Sequence, residues 1–230
     1  MIKQRSPEWY RARIGKFTAS NLSELLAKPA DKSALWSKSA LNCIEKAATQ
    51  LYFNHYYERP DNEATRWGIR NEPKAIESFS RKSQFETSDI GFVLHPEMPD
   101  VGATPDAVVF ENGEREYSAI AEIKCPYNST NHLDYFKRII NDTCLKRIKS
   151  AYYWQIQGEI WVTGANHGYF ISYDTRFQED KQLHYVKIER DHEAIKQISE
   201  TVTKSINLRN DILEAFDSNR RRPRSLDSFY

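Results

Sequence analysis

A chain of 230 residues with a net charge of +1 is long enough for one sizeable core and too short for two full domains. Its 40% apolar and 13% aromatic residues exclude a disordered chain; with no apolar run near the roughly 18–20 residues that cross a bilayer and no signal-like start over residues 1–5, a cytosolic protein is expected. Cys43, Cys125 and Cys144 are odd in number and lack Cys-x-x-Cys spacing, which argues against a disulfide framework, a zinc site or an iron–sulfur cluster.

Taken in chain order, residues 6–20 carry Arg11, Arg13 and Lys16, then Thr18 and Ser20 just ahead of a helix expected over residues 21–27. A hydroxyl-bearing helix start backed by arginine suits a phosphate, because unpaired backbone N–H groups and a guanidinium both favour an anion. Ordinary capping by Ser20 or Asn21 is the other reading. Leu22, Leu25 and Leu26, then Leu41, Ile44, Ala48 and Leu51, recur at helical intervals and predict helices to about residue 53, followed by a polar connection over residues 55–61. In the next helix, Ile69, Ile76 and Phe79 form a stripe that also takes in Glu72. A carboxylate there needs a cation or strong donors nearby, yet Pro73, favoured at the first helical position, equally allows Glu72 to stand at a helix start.

Strands are expected near residues 90–95, 104–110 and 117–124. The last two make a hairpin: Asp106 opens the run Ala107-Val108-Val109-Phe110, Asn112-Gly113 is a turn signal, and the chain returns to Glu122-Ile123-Lys124, sixteen positions after Asp106. Side chains alternate along a strand, so Glu122 and Lys124 share one face while Ala121 and Ile123 enter the opposite, apolar layer. Asp106, Glu122 and a nearby backbone carbonyl suit Mg²⁺ or Mn²⁺, which take oxygen ligands. Lys124 is no ligand; beside such an ion it can hold an attacking water or neutralise a phosphoryl transition state, so phosphodiester hydrolysis is expected. The plain alternative is a same-face ion pair on a solvated strand.

A basic helical region follows, with Lys137, Arg138, Lys146, Arg147 and Lys149, and then a helix whose Tyr152, Gln155 and Glu159 lie on one face. Strands are predicted at residues 168–173 and 183–188, and a long helix from about residue 191 to 216. Helices and strands in this order predict an α/β single domain, residues 1–217, with a central mixed β-sheet flanked by helices; residues 218–230 form a basic, proline-interrupted tail expected to be mobile. Since the overall charge is nearly neutral, any DNA-facing surface must be a local basic stripe.

The segments Glu8-Trp9 to Ser20, Trp67-Gly68 to Glu72, Thr104-Pro105-Asp106, Glu122-Ile123-Lys124-Cys125-Pro126, Lys149-Ser150-Ala151-Tyr152 to Gln157, Trp161-Val162-Thr163 and Leu183 to Asp191 resemble, in order, those of the phage lambda exonuclease family, the YqaJ-like viral recombinases of the PD-(D/E)XK nuclease superfamily. The resemblance implies a restriction-endonuclease-like core. It implies Asp106, Glu122 and the Ile123 carbonyl as metal ligands, Glu72 as the helix-borne acid, Lys124 as the catalytic lysine, and Gln155 with Tyr152 positioning water or phosphate. Arg13, with Thr18 and Ser20, resembles the pocket for a 5′-terminal phosphate. Pro73 departs from the lambda enzyme and leaves the geometry at Glu72 less defined than that of the hairpin.

The same resemblance implies Mg²⁺-dependent digestion of one strand of duplex DNA from a 5′ end, a single-strand annealing protein as partner, a homotrimer, and a phage or prophage origin in a bacterial cytoplasm. A restriction-type endonuclease or junction resolvase with the same core, and a non-catalytic DNA-binding subunit, are the alternatives the residues leave open.

Overall fold

The structure, a computed structural model, describes residues 2–57 and 61–220. The chain enters through α1 (Pro7–Ala12), β1 (Phe17–Thr18), a 3-10 turn over Ala19–Asn21 and α2 (Leu22–Leu25). Two longer helices follow, α3 (Lys38–Phe53) and α4 (Glu63–Ser83). Each begins where sequence chemistry dictates: Ser37 Oγ accepts the Ala40 N–H at 3.1 Å and Asn62 Oδ1 accepts the Thr65 N–H at 2.9 Å. Each ends in a left-handed residue, Asn54 and Gln84.

The strands β2 (Glu86–Ser88), β3 (Val93–Leu94), β4 (Val101–Ala103), β5 (Ala107–Phe110) and β6 (Ala119–Lys124) come next, then α5 (Ser129–Arg138), α6 (Asp142–Ile148) and α7 (Ser150–Thr163). β7 (His167–Tyr173), α8 (Glu179–Gln182), β8 (Leu183–Glu189) and α9 (His192–Arg220) complete the described chain. The expected α/β architecture with a mixed sheet is present. Its main sheet runs β2-β5-β6-β7-β8, antiparallel except for the β6–β7 pair, which is parallel. Parallel pairing requires a long crossover, and α5, α6 and α7 supply it. A second sheet, β1-β4-β3, was not expected; its strands are two or three residues long, too short for an alternating pattern.

The sheet is covered on both faces. Ile120, Val108 and Phe170 pack on Ile156 and Ile160 of α7, while Ala107, Val109, Ala121, Ile123 and Ile171 pack on Ala75 and Phe79 of α4. Burial on both faces explains the nearly unbroken apolar runs of β5 to β7. α7 also meets the small sheet and α9 through Val162, so it is enclosed nearly all round, which explains its lack of a polar side. Among the described residues no helix is long and apolar enough to cross a membrane.

Several sequence expectations need correction. Residues 104–106 are not strand: Pro105 has no N–H for a ladder, so β4 ends before it and β5 starts after Asp106. The helix expected at residues 21–27 is a 3-10 turn followed by a single turn of α-helix. On α3 the buried set is Ala40, Cys43, Ile44, Ala47, Ala48 and Gln50, with Leu41 and Leu51 exposed. On α4 it is Asn71, Ala75 and Phe79: Phe79 is buried as expected, while Asn71 and Ala75 stand one position before the predicted Glu72 and Ile76. Pro73 does not start that helix but lies inside it. α9 continues to Arg220, into the segment assigned to the tail; the rest of the tail, and most of the Arg59-Pro60-Asp61 connection, lie outside the described residues.

Candidate active site

β5 and β6 place the hairpin acids as their alternation requires. Ala107 pairs with Ala121 in antiparallel register, so Asp106 stands at the strand mouth; its N–H donates to the Ala121 carbonyl oxygen at 3.1 Å and its carboxylate accepts the Ile123 N–H at 2.7 Å. Glu122 and Lys124 face α7, with Ile123 on the opposite, α4 side. Glu122 is 3% exposed. The Lys124 ammonium donates to Glu122, donates to Gln155 Oε1 at 3.3 Å, and lies 4.7 Å from the centre of the Tyr152 ring. Tyr152 therefore meets Lys124 with its ring face, itself stacked on Phe170.

Four acids, Asp106, Glu122, Glu72 and Glu159, crowd one another here, and two of them, Glu122 and Asp106, act on this one ammonium. Burial, then the Glu122 and Glu72 carboxylates, push the Asp106 pKa well above its usual range. Burial, then Glu122, do the same to Glu159, an acid of α7 that is 1% exposed; one of its oxygens accepts from Gln155 at 3.0 Å and the other is buried without a partner. Burial works against the charge of Lys124, but Glu122 and Asp106 hold its pKa above the ordinary lysine value. Glu72 does not sit on an apolar stripe: its side chain is 19% exposed and bound to Arg5 at 3.0 Å.

Among the described residues no three His, Cys, Asp or Glu side chains form a ready cluster for a metal ion, and the Lys124 ammonium is what neutralises Glu122. The donor chemistry nevertheless fits a hard cation. Carboxylates crowded enough to raise one another's proton affinity, one of them with an orphaned buried oxygen, are the oxygen-rich and electron-rich surroundings that Mg²⁺ or Mn²⁺ takes.

The three basic residues of the amino-terminal segment part company. Arg11 is tied to Glu8 at 2.7 Å and Lys16 to the Pro99 carbonyl oxygen at 2.7 Å. Arg13 turns inward and is 8% exposed, its guanidinium 4.2 Å from the centre of the Trp9 ring and within 6 Å of Tyr56 and Phe92. It donates to the Tyr56 hydroxyl (3.3 Å), Thr104 Oγ1 (3.3 Å) and Thr18 Oγ1 (3.4 Å), and Thr18 Oγ1 lies 3.1 Å from Ser20 Oγ. Every partner is neutral, and the bonds are long. Because a 3-10 turn and a single α-helical turn follow Thr18, the anion-favouring character expected of a helix start rests on the guanidinium and the hydroxyls.

The two groups open into one cleft of about 890 Å³, lined by Arg13, Thr18, Ser20, Asp106, Glu122, Gln155 and Glu159 among others. Arg5, Trp9, Tyr56, Thr104 and Glu159 belong to this neighbourhood and were not among the predicted site residues. Glu159 had a visible signal, an acid four positions from Gln155 on an otherwise apolar helix. Tyr56 had none, since it reaches Arg13 from 43 residues away.

The fold is that of the alkaline exonucleases, which supports a nuclease. Crystal structures of an alkaline exonuclease (LHK-Exo) from Laribacter hongkongensis match with a TM-score of 0.78, and of 0.79 for LHK-Exo in complex with dAMP, both at 26% identity over 94% of this chain and 98% of the other. A phage-related exonuclease from Haemophilus somnus 129PT shares the fold at 17% identity and TM-score 0.70, over 87% of this chain and 96% of that one. The Escherichia coli K12 protein ExoD is 42% identical over 59 residues, 26% of this chain and 67% of ExoD. The YqaJ-like viral recombinase domain matches residues 8–166, and the chain belongs to that family.

Proposed function

We propose that this protein is a Mg²⁺-dependent 5′-to-3′ exonuclease that degrades one strand of duplex DNA and leaves a 3′ single-stranded tail for a strand-annealing partner, working as a homotrimer. The observation that carries the reading is the shared cleft: a buried guanidinium whose hydrogen-bond partners are all neutral stands in the same cavity as the acids of the hairpin. A buried cation without a counter-charge is costly, and a terminal phosphate supplies the missing anion. Arg13, assisted by the Thr18 and Ser20 hydroxyls, grips the 5′ phosphate, and the strand's first linkage then lies toward Asp106 and Glu122.

Asp106, Glu122 and the Ile123 carbonyl would hold the cation, with Glu72 contributing from α4 once Arg5 releases it. Bound there, a divalent cation neutralises the scissile phosphate and lowers the pKa of a water. Lys124 holds the attacking oxygen or shields the charge that develops on phosphorus, and Gln155 fixes where that ammonium stands. Phosphate contacts dominate this arrangement, so cleavage depends little on base sequence and binding weakens with salt.

The test uses Mg²⁺ with linear duplexes labelled on either strand end, bearing a 5′ phosphate or a 5′ hydroxyl, beside a covalently closed circle. Loss of one strand from phosphorylated 5′ ends with the circle intact supports the reading. A nicked circle makes the protein an endonuclease instead, and no cleavage of any substrate makes it a binding subunit. Full Mg²⁺-dependent activity in Lys124→Ala would remove that lysine from the mechanism.

A further inference from the structure

A side-chain amide has one donor end and one acceptor end, and which end faces a neighbour is decided by what stands on either side. Gln155 lies between two groups of opposite kind. On one side is the Lys124 ammonium, a donor only, 3.3 Å from Gln155 Oε1; on the other, one helical turn along α7, is Glu159, whose Oε1 accepts from Gln155 Nε2 at 3.0 Å. Turning the amide over would set the NH₂ against an ammonium and the carbonyl oxygen against a carboxyl oxygen.

The apolar packing of α7 does not call for a carboxyl group at position 159, which turns toward Glu122 and Gln155 in the cleft. Its neighbours Ile156, Ile160 and Val162 are apolar core, the residue is 1% exposed, and its second oxygen has no partner among the described residues. Lys124, the cation of this cluster, is engaged with Glu122. Burying a carboxyl group on these terms, with the Glu122 carboxylate also beside it, is unfavourable and an apolar side chain would avoid it; among the described residues its one directed hydrogen bond to a neutral side chain is the one from Gln155.

We propose that Glu159 is a positioning residue of the active site: by accepting from the Gln155 NH₂ it turns the Gln155 carbonyl oxygen to Lys124 and so fixes the ammonium relative to Glu122. The inference rests on the exonuclease reading above for the reaction it serves, and on hydrogen-bond geometry for the residue.

Steady-state cleavage of 5′-phosphorylated duplex is measured for wild type, Glu159→Leu, Glu159→Gln, Gln155→Leu and the double leucine variant. Glu159→Leu should lower kcat roughly ten- to hundredfold with KM for DNA ends unchanged, as misplacement of a catalytic group does. Glu159→Gln, whose amide oxygen still accepts from Gln155, should recover most of the loss, and the double variant should be no slower than Gln155→Leu alone. The metal-free protein supplies an independent readout: the Gln155 side-chain NH₂ resonances, assigned by their loss in Gln155→Leu, should be protected from hydrogen exchange in wild type and Glu159→Gln.

Unchanged kcat in Glu159→Leu, losses that multiply in the double variant, or an unprotected Gln155 amide in wild type would each overturn the proposal. Should Glu159→Leu fail to fold, wild-type amide protection and the activity of Glu159→Gln decide the matter. A wild-type protein that cleaves no DNA defeats the functional reading itself, whereas an active wild type with an indifferent Glu159 defeats only this inference.

Discussion

The carboxylate of Asp106 accepts the backbone N–H of Ile123 at 2.7 Å, across the start of the hairpin that carries both. The same side chain thus clasps β5 to β6 and stands among Glu122 and Glu72, whose charges oppose its own. Asn in its place keeps an oxygen for Ile123 and drops the charge.

That difference sets the first prediction. Burial, then Glu122 and Glu72, hold the Asp106 pKa well above 3.8, so the folded protein binds that proton more tightly than the unfolded chain does. Stability from this source is therefore highest below the unfolded value and falls as pH rises through the folded one. Without metal, Asp106→Asn should melt above wild type at neutral pH while cutting nothing. Mg²⁺ should stabilise the wild type by about 2.7 kcal/mol at a hundredfold excess over its Kd, raising its melting point, and leave the variant nearly unmoved. Thermal melts in chelator and in Mg²⁺ give both comparisons.

Asp191 has the opposite sign. The Tyr153 hydroxyl, the Ala194 N–H and Lys146 overcome its partial burial and hold its pKa down to about 2. Its contribution is complete above the unfolded value of 3.8 and is lost as pH falls through about 2. Asp191→Asn should remove this acid-side slope from denaturant titrations taken across that window. Asp191→Ala, which also strips the first turn of α9 of its cap, should cost about 1–2 kcal/mol at neutral pH.

Arg13 tests the phosphate grip. Three donor contacts from one planar guanidinium, braced on Trp9, are geometry that an ammonium cannot copy. Arg13→Lys should reduce the preference for a 5′ phosphate over a 5′ hydroxyl roughly ten- to hundredfold in kcat/KM, with little change in Tm. Equal preference in variant and wild type would place the phosphate elsewhere.

How much of this was legible in the sequence follows the range of the interactions. The alternation Ala121-Glu122-Ile123-Lys124 fixes its own faces, and Tyr152, Gln155 and Glu159 are set together by helical spacing, so both read correctly. The surroundings of Glu72 did not, because its partner is Arg5, 67 residues away, and because Pro73 lies inside the helix rather than at its start. The neutral surroundings of Arg13 are likewise assembled from Trp9, Tyr56, Phe92 and Thr104, which only the tertiary fold brings together. The small sheet escaped because strands this short are held by their neighbours rather than by a pattern of their own.

Gly158 gives the last prediction. A Cβ there would stand 2.2 Å from Leu22 Cδ1 and 3.3 Å from the Ala19 Cβ, and Leu22 is 1% exposed. Alanine ordinarily favours a helix over glycine by about 1 kcal/mol; here the overpacking of about 1–3 kcal/mol should outweigh it. Gly158→Ala should therefore unfold at lower denaturant, and its residual activity should show looser discrimination of 5′ ends.

The close seating of α7 on the turn that carries Ser20 has a consequence for the product. On the reading proposed above, the hydroxyls that would hold the strand's end and the Gln155 that would orient Lys124 are joined through this contact, so the spacing between grip and cut would act as a ruler. An exonuclease built this way would release fragments of one size whatever the bases.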